Sequence, residues 1–139
     1  MPIIQNVSRV DVAQGNHIRA TDAVLIQIVD PAMSFPVPPN WVSFKEIHQF
    51  EFLDIEDDET RFPEECKISD SQAAKLVEIL MNAKSKELDV VVHCTAGLCR
   101  SGAVAEVGVM LGFDETGRRR QPNVLVKNKM MRVLGWSYD

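Results

Sequence analysis

The chain has 139 residues, of which 45% are hydrophobic and 25% charged, with a net charge of −5. That is enough for one domain with a proper core, and the acidic balance argues against a general nucleic-acid binder. Three cysteines do not make a disulfide framework and fit a reduced, intracellular protein. No apolar run approaches the ~20 residues that span a bilayer. The opening MPIIQNVSRV has neither the basic n-region nor the apolar core of a signal peptide, so cytoplasm is the expected compartment and no membrane partner is expected.

IIQNVSRVDVAQ near the start reads as an edge strand or a hairpin arm. AVLIQIVD, residues 23–30, is a β-branched apolar run and reads as a buried strand. DPAMSFPVPPNW carries four prolines and can only be a loop; Asp30 ends the strand before it but, followed by Pro31, reads as a turn residue with no catalytic role. HQFEFLD, residues 48–54, alternates at Phe50 and Phe52 and predicts another strand, closed by Asp54. Residues 69–86 predict a helix: Ser69 and Gln72 form a capping box, and Ala73, Leu76, Val77, Leu80 and Ala83 make one apolar stripe.

DVVVHC, residues 89–94, has the look of a strand buried on both faces. Residues 101–111 are apolar nearly all round, as in a central helix, with Gly112 as its stop. A last amphipathic helix is expected over 123–135, with Pro122 at its first turn. Strands alternating with helices imply an α/β fold, a mostly parallel central sheet flanked by helices. In such sheets ligands bind beyond the carboxyl ends of the strands, where Asp54 and Cys94 both fall.

Charge is uneven along the chain. Residues 51–65 hold eight Asp or Glu against Arg61, and residues 118–139 hold six Lys or Arg against Asp139. Both runs, including Arg118, Arg119 and Arg120, read as solvated surface.

The chemistry concentrates in VVHCTAGLCRSG, residues 91–102. A tight loop of Thr95, Ala96, Gly97, Leu98 and Cys99 feeding a helix points backbone N–H groups inward, and the helix dipole adds partial positive charge. Gly97 supplies the conformational freedom that such curvature needs. Arg100 offers a planar fork matched to two phosphate oxygens. The result is a socket for a tetrahedral dianion. Those same groups stabilise a thiolate on Cys94, poised for in-line attack and a cysteinyl-phosphate intermediate. Ser101 is placed to hydrogen-bond the sulfur, and His93 to anchor the loop.

HCTAGLCRS resembles the H-C-x5-R-S/T pattern of the cysteine-based protein tyrosine phosphatases, especially the small dual-specificity branch as found in prokaryotes and phages. FLDI and RQPNVLV are similar to that family's aspartate-bearing loop and to the Pro-Asn segment after its central helix. Residues 1–45 carry no such likeness, and Cys99 departs from the small residue relatives usually place there. The resemblance implies a dual-specificity-phosphatase-like fold, a phosphorylated protein as substrate, and no metal or other cofactor. It also implies an upstream Asp that protonates the leaving oxygen. Asp54 matches that position best, with Asp57 and Asp58 next. Asn123 matches the Asn that buttresses the phosphate loop, though a helix cap explains it equally well.

Several alternatives stay open on the sequence. The same loop serves phosphoinositides and RNA 5′-phosphates, although TAGLC has no Lys or Arg before Arg100. A non-catalytic phosphoprotein-binding module is another, usually marked by loss of the cysteine. A sulfur-transfer or arsenate-reducing loop does not require both His93 and the Arg100-Ser101 end. Cys99 and Cys66 are candidates for reversible capture of an oxidised Cys94. Spacing of His93, Cys94, Cys99 and Cys66 fits no usual zinc pattern. Oligomeric state is not readable.

Overall fold

The computed structural model describes residues 2–18, 21–55 and 66–136. Five parallel strands form one sheet: β1 (Ile3–Ser8), β2 (Val24–Val29), β3 (Glu46–Glu51), β4 (Val90–Cys94) and β5 (Asp114–Glu115), in the order β3-β2-β4-β1-β5. The helices are α1 (Arg9–Gln14), α2 (Asp70–Ser85), α3 (Arg100–Met110) and α4 (Val124–Val133), with a short 3-10 turn at Trp41–Ser43. The α/β class expected from the alternation is the one observed.

Alternation along the strands sorts side chains to two faces. Val24, Ile26, Ile28, Val90 and Val92 join the larger core beneath α2, α3 and α4. Leu25 and Val91 point the other way, against Val12 of α1 and Phe44. Every residue of β2 and β4 is buried, and both strands are apolar apart from Gln27 and His93. Helix α2 begins as its sequence predicts, with Ser69 accepting from the Gln72 amide and Gln72 reaching back to the Ser69 amide. Gly108 lets α3 lie close on β1: a Cβ there would meet Ile4 Cδ1 at 2.6 Å.

Two expectations need correction. The first segment is neither an edge strand nor a hairpin arm. β1 pairs with β4 along its length and with β5 over two residues, then turns into α1, capped by Ser8 and Asp11. Its apparent edge character came from Asn6, a buried polar residue in mid-strand. Second, β3 stops at Glu51, so Asp54 lies past the strand, and β2 separates β3 from β4. The carboxylate that closes a strand next to β4 is therefore Asp30, not Asp54.

This order also explains where the loop after β4 sits. β1 exits into α1 on one face, while β4 exits into α3 on the other. The two chains part between neighbouring strands and leave a crevice at their carboxyl ends, the usual ligand position in such sheets. Among the described residues, no helix is long and apolar enough to cross a membrane.

Candidate active site

Residues 95–99 bridge the end of β4 and the first turn of α3. Four of the loop's carbonyls are held from outside. Thr95 O accepts from the Arg9 amide (3.1 Å) and Gly97 O from Asn6 Nδ2 (2.7 Å). Leu98 O accepts from the Gln121 amide (2.9 Å), and Cys99 O from the amides of Asn123 and Ala103 (2.9 Å each). In a trans peptide the next N–H points opposite to the carbonyl. The amides of Ala96, Leu98, Cys99 and Arg100 are thereby turned toward the inside of the loop, where α3 contributes its positive dipole end.

Gly97 is the tightest point, with φ +77°. A Cβ there would meet Ser8 N and Val7 C at 2.5 Å each. Only glycine permits both this left-handed turn and this approach to β1.

Cys94 is buried at the end of β4, and its Sγ lies 3.2 Å from Ser101 Oγ. His93, just before it, is fully buried, with Nδ1 3.4 Å from Cys94 O and Nε2 without a partner among the described residues. Burial pushes its pKa down to about 4, against the upward pull of the Cys94 carbonyl, and the charges of Arg9 and Arg100 lower it further. A neutral ring has one proton, and the Cys94 carbonyl favours it on Nδ1. His93 is a neutral anchor here.

Arg100 is 4% exposed. Its guanidinium has five N–H donors. Nη1 donates to Asp30 Oδ1 and to Phe52 O, both at 2.7 Å, which uses its two protons. Nη2 donates to Thr95 Oγ1 at 3.1 Å. Nε is buried and has no partner among the described residues. Two donors are left without an assigned partner among the described residues, Nε–H and one N–H of Nη2. A guanidinium with two donors to spare can meet two oxygens of one anion.

Asp54 is exposed and stands apart from Arg100 in these contacts. Its Oδ1 accepts from Asn123 Nδ2 at 2.6 Å. Asn123 also donates to Ile55 O (3.2 Å), caps α4 by accepting from the Val126 amide (3.0 Å), and gives its own amide to Cys99 O. Helix cap and loop support, two readings of one residue, coexist because its side chain and backbone face different neighbours. Asp54 is thus linked to the phosphate loop through one residue. Asp57 and Asp58 lie outside the described residues.

Three contributors escaped the sequence reading. Asn6 clamps Gly97 O and also donates to Arg119 O at 3.0 Å. A polar residue at a buried position of β1 was its only signal. Gln121 acts through its backbone, which leaves no mark on sequence. Asp30, read as a turn residue, does make a turn, its carbonyl accepting from the Met33 amide, yet its carboxylate is the one that meets Arg100. The basic triplet is partly paired: Arg118 with Asp11 at 3.2 Å, and Arg120 with Glu115 at 2.9 Å and Glu106 at 3.5 Å. Cys66 and Cys99 are in no disulfide among the described residues and are of intermediate exposure.

No family model matches the sequence, and no curated protein matches it. Solved structures do. The human tyrosine phosphatase-like serine/threonine/tyrosine-interacting protein is similar with a TM-score of 0.53 and 15% identity, over 81% of this chain and 76% of that one. A structure described as Tk-PTP in the active form gives 0.48 and 14% identity, over 96% and 78%. The first likeness shows that the chain shares the fold of that tyrosine phosphatase-like protein.

Proposed function

We propose that this chain is a cysteine-dependent phosphatase that hydrolyses phosphomonoesters of proteins, of the tyrosine or dual-specificity type. The observation that supports the reading is the donor count at Arg100: a buried guanidinium that keeps two N–H groups, on Nε and Nη2, without an assigned partner among the described residues, beside a ring of inward amides. Such an edge in a buried site costs free energy unless an anion meets it.

In the proposed cycle Cys94 Sγ attacks phosphorus in line, forming the S–P bond as the ester P–O bond breaks. Asp54 gives its proton to the departing oxygen. The loop amides and Arg100 hold the equatorial oxygens, whose charge must be stabilised through both steps. Ser101 donates to the sulfur when it leaves as thiolate. Water then attacks phosphorus, Asp54 takes its proton, and the S–P bond breaks to release phosphate. None of this requires a metal or a cofactor. The absence of Lys or Arg from residues 95–99 favours a phosphoprotein over an RNA or lipid phosphate.

Hydrolysis of p-nitrophenyl phosphate in the presence of chelator tests the reading. Turnover should be lost in Cys94→Ser and should fall at least about 10²-fold in Arg100→Lys, which cannot offer the fork. Turnover that survives Cys94→Ser contradicts the mechanism. Phosphopeptide binding by the wild-type protein without any turnover would instead assign the chain to capture of phosphorylated partners.

A further inference from the structure

Two arginines meet the first residue of the loop after β4. Arg9 gives its backbone amide to Thr95 O at 3.1 Å, and Arg100 gives Nη2 to Thr95 Oγ1 at 3.1 Å. The segment after β2 touches the same pair: Asp30 meets Arg100 at 2.7 Å, and Ser34 Oγ accepts from Arg9 Nη2 at 3.3 Å. His93, just before the loop, is under the charge of both guanidinium groups. The two differ in what they have left to give. Arg100 is buried and hydrogen-bonded through both of its terminal nitrogens. Arg9 is half-buried; among the described residues its guanidinium has the long bond to Ser34 and no ion pair, so most of its five donors are unassigned. Two neighbouring cations are engaged elsewhere, Arg118 with Asp11 and Arg120 with Glu106 and Glu115. Arg9 also opens α1, where the helix dipole disfavours a positive charge. The charge gains nothing from the helix that carries it. It stands one residue past Ser8, whose strand partner is Cys94, at the rim of the crevice.

We propose that Arg9 forms a second anion-binding subsite at the rim of the crevice, taking the carboxylate of an acidic residue next to the phosphorylated one in a peptide substrate. The proposal rests on the phosphatase reading and adds a substrate preference to it. Arg100 and the loop amides hold the phosphoryl group, which every substrate shares; Arg9 meets what differs between substrates. Residues 95–99 have no Lys or Arg of their own, and the chain carries a net charge of −5, so an acidic peptide needs a local cation to be favoured. A guanidinium with donors to spare can give two hydrogen bonds to one carboxylate.

The test compares two phosphotyrosine peptides that differ only in the residues flanking phosphotyrosine, Glu in one and Gln in the other. The readout is the ratio of kcat/KM between the two peptides for each enzyme. That ratio cancels any effect a substitution has on the shared phosphate site. Wild type should favour the Glu peptide by about 5- to 20-fold at low salt, and the preference should shrink at high salt. Arg9→Gln should bring the ratio within about 2-fold of unity, and Arg9→Glu should invert it by like-charge repulsion. Lys75→Gln, which removes an exposed positive charge from α2, should keep the wild-type ratio.

A wild type indifferent to the flanking residues, an Arg9→Gln or Arg9→Glu that keeps the wild-type ratio, or a Lys75→Gln that loses it overturns the subsite and leaves the phosphatase reading standing. A wild type that hydrolyses neither the peptides nor p-nitrophenyl phosphate overturns the phosphatase reading. Fluorescence anisotropy of the same two peptides, labelled, then decides the subsite by itself: equal affinities overturn it, and a Glu preference that disappears in Arg9→Gln supports it.

Discussion

Replacing Gly97 by alanine puts the phosphate loop under a load that the structure lets one calculate. The added methyl carbon would lie 2.5 Å from Ser8 N and Val7 C and 2.7 Å from Val7 O. All three are backbone atoms at the end of β1, where Val7 and Ser8 pair with His93 and Cys94 of β4, so they resist moving aside. Ordinary contact needs about 3.4 Å, and the loop must retreat by about 1 Å. Retreat stretches the 2.7 Å bond from Asn6 to Gly97 O, a buried bond whose loss costs about 1–3 kcal/mol. Alanine at φ +77° adds about 1 kcal/mol more. A loss of about 2–4 kcal/mol corresponds to a fall of about 10 °C in Tm for a chain of this size. Since the amides move with the loop, kcat/KM should fall about 10²-fold even at temperatures where the variant is fully folded. Thermal unfolding followed by circular dichroism, with p-nitrophenyl phosphate kinetics, reads both. A Gly97→Ala protein that melts within about 2 °C of wild type and turns over normally refutes the tight approach of loop to β1, and with it the inward amides.

Other outcomes follow from single residues. His93 is buried neutral with a pKa of about 4, below its ordinary value, so the unfolded chain takes up a proton that the native one refuses. Its contribution is complete above about pH 6.5 and is lost as pH falls toward 4, amounting to about 3 kcal/mol; urea unfolding should show the wild type's advantage over His93→Gln shrinking between pH 7 and 4.5, and a constant gap would contradict the burial argument. Asn6→Ala leaves two carbonyls on separate loops without their shared donor, and should cost about 1–3 kcal/mol while weakening inhibition by inorganic phosphate. Asp54→Asn should slow esters with poor leaving groups by about 10²- to 10⁴-fold and activated ones far less. Equal rates across leaving groups would move the acid to Asp57 or Asp58.

Much of the architecture was legible because the signals were local. A capping box at Ser69, an apolar stripe on α2 and mostly apolar runs in β2 and β4 each report on contacts within a few residues. The tight loop from β4 into α3 was equally readable, since Cys94, Gly97, Arg100 and Ser101 lie within one turn and one helix start. What misled was anything set by strand order. HQFEFLD looked as if it ended beside Cys94 because both strands end in reactive residues, yet β2 stands between them. Asp30 was passed over as half of an Asp-Pro turn, although its strand is the true neighbour of β4.

Residue order alone determined which groups could make a phosphate cradle, because the cradle is one continuous stretch of backbone whose curvature and donors are encoded side by side. Tertiary structure decided how that cradle is held and aimed. Asn6, Asp30, Phe52 and Asn123 come to it from four separate places in the chain, 23 to 94 residues away from Arg100 in sequence. Parallel strand pairing fixes which chain ends meet at one edge of a sheet, and it depends on the packing of both faces at once. No short segment contains that information.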